Sequence, residues 1–307
     1  ITGYIGFYLR DYLAKLKNVL IQSGNRYQDL DDLTVIQMIA LCLRKQHTEG
    51  RNPYGITPNA LENITAVDFE TNWSECQKSI LNTIKFLCEM KIHGPGMLPF
   101  TYLVLPLCYH FHKNKSPDKL RMRQWFWHTA LSHDEFRTST EVIYFCENYF
   151  SAIELGGSPT LPDLTISRSQ FIRSSYNYRN ALSRTVLAFL ANLNPLDFSD
   201  DHAVVLDNVY LLLSQAPNLH HIYPQNFLKK VKGLPSDVSI DSLMNICFIR
   251  AETNLSISDT APLEYFKKFN EDVKNFDKIL ATHLIPLAFV ERTSFSPSDY
   301  RDFLYAR

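Results

Sequence analysis

Residues 218–227 read Asn-Leu-His-His-Ile-Tyr-Pro-Gln-Asn-Phe, and further along Met244-Asn245-Ile246-Cys247-Phe248-Ile249 leads into Ala251-Glu252-Thr253-Asn254. Successive side chains of a strand point to opposite faces, so His220 and His221 on one strand are free to hold separate jobs, one toward a metal and the other toward a substrate. A second strand from Asn245 is expected to pair with the first. A helix after it would bring Asn254, nine residues beyond Asn245, back to the metal side. Strand, strand and helix in this order define a small α+β module.

Outward from this stretch the texture differs on the two sides. Upstream, from residue 3 to about 195, apolar residues recur at three- and four-residue steps, as in Tyr4, Phe7, Tyr8, Tyr12, Leu16, Val19 and Leu20, which is the buried face of a helix. A second helix is expected over Leu33–Leu43, announced by Asp29, Asp31 and Asp32. Others are expected at about 67–91, 99–113, 117–131, 139–153 and 176–193, with breaks at Asn52-Pro53, Gly94-Pro95-Gly96, Ser116-Pro117 and Gly156-Gly157-Ser158-Pro159. Asn194-Pro195 ends the run and an acidic turn follows at Asp197–Asp201. Beyond it come short β-capable runs at Ala203–Leu206, Leu219–Tyr223 and Met244–Ile249, then helical patterns near 262–270, 272–284 and 298–305. The expectation is a mainly α protein in two parts: a helical domain over 1–200 and a small α+β module over 201–307.

Composition narrows the classes. The 307 residues carry 31 Lys+Arg against 32 Asp+Glu, a net charge of −1, and are 45% hydrophobic, which excludes disorder and leaves no global basic bias. The longest apolar run, Phe100–Phe111, holds Pro106 and His110 and falls short of the roughly 20 residues that a membrane-spanning helix needs. Cysteines at 42, 76, 88, 108, 146 and 247 include no Cys-x-x-Cys pair, so they read as reduced core thiols of a cytoplasmic protein rather than zinc ligands. His110 and His112 end an apolar helix, with no further ligands that spacing can supply. His128 and His133 read as structural. The chain opens at Ile1 in an already amphipathic segment with no initiator Met and no signal-peptide pattern, so it is expected to be a piece of a longer protein.

The His220-His221-Ile222-x-Pro224 run, the Asn245-Ile246-Cys247-Phe248-Ile249 strand and the tail Glu252, Thr253, Asn254, Ile257, Asp259, Pro262 and Tyr265 resemble the carboxy-terminal HNH domain of the GmrSD-type modification-dependent restriction and phage-defence endonucleases. That domain belongs to the His-Me finger, or ββα-metal, nucleases. The resemblance is close over about 215–270. A looser one runs upstream through Trp125-Phe126-Trp127 and Asn177-Tyr178-Arg179, similar to the helical region between the family's amino-terminal nucleotide-sensing domain and its nuclease. It implies a ββα-metal core in which His221 is the general base, His220 and Asn254 hold one divalent cation, and Asn245 braces the His221 loop by a side-chain to backbone hydrogen bond. Mg²⁺ or Mn²⁺ is implied, with Ni²⁺ or Zn²⁺ as further candidates, because an imidazole stands at 220 where many relatives have a carboxylate. It also implies DNA as substrate and the nucleotide-sensing domain as a partner in the same polypeptide, its Gly-rich motif being absent here. An imidazole of ordinary pKa, near 6.5, suits a base working around neutral pH.

Nucleic-acid contacts are sought in two places. One is the basic cluster Lys113, Lys115, Lys119, Arg121 and Arg123; the other is the acid-free stretch between Asp163 and Asp197, with Arg168, Arg173, Arg179 and Arg184. For each, a solvated helix face is the alternative. Tyr178 beside Arg179 favours that guanidinium as the phosphate contact. Two rival functions remain open at this point: a degenerate HNH-fold helical module that binds DNA or a partner without cutting, and an RNA endonuclease using the same chemistry.

Overall fold

The computed structural model describes residues 8–43, 55–136, 138–206 and 219–307, with the side chain of His133 left out. The expectations for Tyr4, Phe7, Asn52-Pro53 and the His133 ring lie outside what is described. The protein is mainly helical, with one two-stranded sheet among the described residues, and it divides into two compact units, Ile1–Asp163 and Leu164–Arg307.

The described residues of the first unit form helices and no strand: α1 (Leu9–Gln22), α2 (Asp32–Cys42), α3 (Pro58–Leu61), α4 (Ala66–Glu89), α5 (Val104–Lys113), α6 (Lys119–Leu131) and α7 (Ser139–Glu154). Local chemistry sets their starts. Asp31 accepts from the Thr34 amide at 2.8 Å, and Thr65 with Asp68, and Thr138 with Glu141, form reciprocal capping boxes. The apolar run 100–111 is the centre of this unit: α5 buries Val104, Leu105, Leu107, Cys108 and Phe111, and packs against α2, α4 and α7. Pro106 falls in the first turn of α5, where a missing N–H breaks no helical bond. The basic cluster of α5–α6 is partly neutralised: Lys115 pairs with Glu75 at 2.7 Å, and Lys119 and Arg123 share Glu89 at 2.7 Å and 3.8 Å.

The second unit comprises α8 (Arg168–Arg173), α9 (Ala181–Asn192), β1 (Leu219–His221), α10 (Gln225–Lys230), β2 (Ile246–Phe248), α11 (Ala251–Ile257), α12 (Pro262–Asp272), α13 (Phe276–Thr282), α14 (Leu287–Val290) and α15 (Pro297–Ala306). Residues 164–200, grouped by sequence texture with the upstream helices, pack here instead. Ile172 and Phe198 lie in the core with Ile222, Tyr223, Cys247, Ile257, Tyr265, Phe266, Phe276, Tyr300 and Phe303. The helix expected over 176–193 begins only at Ala181, because the Asn180 side chain caps it by accepting from the Leu182 amide at 2.7 Å. It ends as the sequence suggested, with Asn194 left-handed at φ 53° ahead of Pro195.

Two expected elements are shorter than their patterns. Ala203–Leu206 is no strand; its contacts are a lone bridge between Leu196 and Ala203 and the Val204 amide on the Pro195 carbonyl at 2.9 Å, because it folds back on the turn after α9. The helix expected over 272–284 contracts to 276–282, since Val273 is extended and Asn275 is left-handed at φ 57°.

Candidate functional site

The two strands are short and antiparallel, in the register Leu219 with Phe248, His220 with Cys247 and His221 with Ile246. Alternation sends the two imidazoles apart. His220 turns inward and is 3% exposed, between the rings of Phe198 and Tyr265; His221 turns outward and is partly exposed.

On the inner side, His220 Nδ1 lies 2.8 Å from Asn254 Oδ1, the side chain that α11 brings back to β1. Burial pushes the His220 imidazole down to about 4, against the pull of the Asn254 hydrogen bond, and the neighbouring His221 adds to the lowering. It is therefore neutral at physiological pH. Its Nε2 is buried without a hydrogen-bond partner among the described residues. An amide oxygen only accepts, so in this contact Nδ1 carries the proton and the lone pair is on Nε2. Two ligand atoms on one ion with bonds of about 2.1 Å sit about 3 Å apart at right angles, so a cation held here would replace this hydrogen bond at nearly the same nitrogen-to-oxygen spacing.

On the outer side, His221 Nε2 is 2.7 Å from Asp241 Oδ1. The Gln225 amide donates to the same carboxylate oxygen at 3.0 Å, from the first turn of α10. A carboxylate only accepts, so the proton sits on Nε2 and the lone pair is on Nδ1. This is the tautomer that a base working through Nδ1 needs.

Asn245 is fully buried and braces the turn after β1. Its Oδ1 accepts from the Tyr223 amide at 2.8 Å, and its Nδ2 donates to the carbonyls of Tyr223 at 2.9 Å and Ile240 at 3.3 Å. One side chain thus clasps both backbone groups of Tyr223, two residues past His221, and one from the loop that bears Asp241.

Several supporting residues carry no signal in the sequence. Asp241 and Gln225 are polar residues of the loop and the following helix, and no spacing rule marks them. Asp197, fully buried, accepts from the Arg250 amide at 2.6 Å, the Thr253 hydroxyl at 2.5 Å and Ser199 at 2.7 Å, which anchors the start of α11 and so the position of Asn254. Burial works to raise the Asp197 pKa, but the hydrogen bonds from Thr253, Arg250 and Ser199 outweigh it and hold the group below its ordinary value. Two residues beyond Asn254 act as ties: Tyr265 donates to the Ile222 carbonyl at 2.5 Å, and Asp259 accepts from Asn226 at 3.1 Å.

The four arginines separate. Arg168 and Arg173 are exposed on α8. Arg179 is exposed ahead of α9, its guanidinium 5.4 Å from the Tyr178 ring centroid and its Nε donating to the Tyr178 hydroxyl at 3.0 Å. Arg184 is half-buried inside α9, its Nε without a hydrogen-bond partner among the described residues, and burial lowers its pKa. No described helix is long and apolar enough to cross a membrane.

No family model matches the chain. An uncharacterized protein of Methanocaldococcus jannaschii is similar to it at 26% identity over 185 residues, which cover 58% of this chain and 30% of that protein, so the matched region spans less than a third of the relative's length.

Proposed function

We propose that the second unit is an HNH-type, metal-dependent nuclease that hydrolyses phosphodiester bonds in DNA. The observation that carries this reading is the divergence of His220 and His221 from one strand onto two separate partners, Asn254 and Asp241, with Asn245 clasping the turn between the strand and α10. In the reaction, a water oxygen bonds to phosphorus as the bond to the departing 3′ oxygen breaks. His221 Nδ1 takes the water proton, and Asp241 holds the ring in position and offsets the imidazolium charge. His220 and Asn254 would hold a divalent cation in place of their hydrogen bond, the buried imidazole being neutral and needing only to shift its proton off Nδ1. Such an ion supplies charge neutralisation at the phosphate and at the leaving oxygen. Arg179, exposed and stacked on Tyr178, is the proposed phosphate contact. One such site cuts one strand. The wider reading, a restriction or phage-defence protein of the GmrSD type controlled by an upstream nucleotide-sensing domain, belongs to the same proposal.

One observation favours a second reading, a degenerate module that binds without cutting. His220 is nearly enclosed, is already hydrogen-bonded to Asn254, and stands where a carboxylate would bring charge to a metal. Incubation of the parent protein and His221→Ala with supercoiled plasmid and with structured RNA, in Mg²⁺, Mn²⁺ or EDTA, separates the readings. Nicking of plasmid that needs metal and His221 is the expected result. Cleavage of RNA alone would make the substrate RNA, and binding with no cleavage under any metal would leave the module non-catalytic.

A further inference from the structure

Three cysteines and one histidine of the first unit, far apart in sequence, converge in the fold. Cys42 closes α2, Cys76 lies within α4, and Cys108 and His112 are one helical turn apart on a single face of α5, against which both α2 and α4 pack. The thiol sulfurs of Cys42 and Cys76 and a ring nitrogen of His112 lie within 4.8 Å of one another. Cys108 Sγ is 3.8 Å from Cys42 Sγ and stands outside that group of three, so as fourth ligand it would close in from the Cys42 side. All three cysteines are buried, and His112 is partly exposed, which gives the cluster an edge toward solvent.

We propose that Cys42, Cys76, Cys108 and His112 form a structural zinc site of the Cys₃His class. Tetrahedral Zn²⁺ with bonds of about 2.3 Å to sulfur separates two thiolates by about 3.8 Å, which is the Cys42 to Cys108 distance. Thiolate and imidazole donors select zinc over Mg²⁺ or Ca²⁺. The histidine is also prepared for ligation. Ser79 Oγ donates its proton to the Glu75 carbonyl at 2.8 Å and lies 3.3 Å from His112 Nδ1, so it accepts from Nδ1–H and leaves the lone pair on Nε2. A ligating imidazole is characteristically oriented in this way by a hydrogen bond from its other nitrogen. Three thiolates around a dication leave one net negative charge, and Lys115 is close enough to act on both Cys42 and His112. Four protein ligands close the shell, so the ion joins α2, α4 and α5 and leaves no position for a substrate. A Cys42–Cys108 disulfide would use two of the four groups and give Cys76 and His112 no role.

The test is anaerobic titration of the full chain, reduced and stripped of metal, with Co²⁺. Thiolate-to-cobalt charge-transfer bands are specific to this cluster, because the proposed nuclease ligands His220 and Asn254 carry no sulfur. We expect one equivalent of Co²⁺ to give those bands with tetrahedral visible absorption, and Zn²⁺ to displace it. The signal should be unchanged in His220→Ala and Cys88→Ser, lost or weakened in Cys76→Ser, and altered in position by His112→Asn. Thiol reactivity of the parent needs no variant to fold: zinc added to the stripped, reduced chain should slow the reaction of Cys42, Cys76 and Cys108 with a thiol reagent relative to the metal-free chain, and a chelator should reverse the effect. Absence of charge-transfer bands in the reduced parent, or an unchanged signal in Cys76→Ser, overturns the zinc site. A Cys42–Cys108 disulfide in protein purified without oxidant, with no metal uptake after reduction, replaces it with a redox pair.

Discussion

Asp241 and His221, twenty residues apart in sequence, meet through a 2.7 Å hydrogen bond between Oδ1 and Nε2. The contact settles which imidazole nitrogen carries the proton, and Gln225 donates to the same carboxylate oxygen. His221→Ala should lower cleavage by about 10²- to 10⁴-fold, the usual contribution of a general base. Asp241→Asn should give a smaller loss, confined to kcat, because the amide still occupies the space but no longer selects the tautomer. Single-turnover cleavage with parallel DNA-binding curves checks this, and a fall in affinity with unchanged turnover would make Asp241 a binding residue.

Metal preference follows from the donor set. With one imidazole and one amide oxygen, the protein brings no carboxylate to the proposed nuclease metal, so binding should be weak until a substrate phosphate joins. Mn²⁺ should support at least as much cleavage as Mg²⁺, and His220→Asp should shift the preference toward Mg²⁺. Metal-dependent cleavage rates of the two proteins decide it; tight Mg²⁺ binding that requires His220 in the absence of DNA would contradict this account.

Asn245→Ala should be strongly destabilising. It strands the amide and carbonyl of Tyr223 and removes a donor from the Ile240 carbonyl, at about 1–3 kcal/mol for each buried group left unpaired. The three groups together set an expected loss of about 3–9 kcal/mol in urea unfolding, with Asn254→Ala costing less. A loss below about 1 kcal/mol would show that the loop finds other partners.

Acid should weaken the second unit in two stages. Burial pushes both His220 and His283 down to about 4, so between pH 6.5 and 4 the unfolded chain binds protons that the folded chain refuses. Their contribution is complete above 6.5 and is lost as pH falls toward 4, on the order of 3 kcal/mol for each imidazole. The depressed carboxylates of Asp197 and Asp299 act lower, below the ordinary carboxylate pKa. His283→Gln, which keeps a donor for the Leu196 carbonyl that His283 Nε2 contacts at 2.6 Å, should remove about half of the upper stage. Melting curves from pH 7 to 4 in chelator test this, and a flat parent profile above pH 4.5 would refute it.

Arg179 and Arg184 should behave differently toward DNA. Arg179→Ala should weaken binding on all sequences and reduce the salt slope by about one, as loss of one phosphate contact requires. Arg184 is half-buried in α9, so its replacement should alter stability and leave the slope unchanged. Equal slopes for the parent and Arg179→Ala would return Arg179 to the solvated surface.

The sequence by itself determined the helical character of the first unit, the ends of many helices and the pairing of the two short strands. These depend on local periodicity, on caps such as Asp31 and Thr65, and on stops such as Asn194-Pro195, all of which act within a few residues. The motif His220-His221, Asn245 and Asn254 was legible for the same reason, since strand alternation and a short return helix place those side chains from spacing alone. Only the tertiary structure decided the rest. It moved residues 164–200 into the second unit, because Ile172, Asp197 and Phe198 find their partners there. It also chose Asp241 as the partner of His221, and it stacked α2 and α4 on α5 so that Cys42 meets Cys76, His112 and Cys108. Sequence spacing had given His112 no further ligands and the cysteines no zinc pattern, because the ligands come from three helices and no local rule joins residues that only core packing brings within reach.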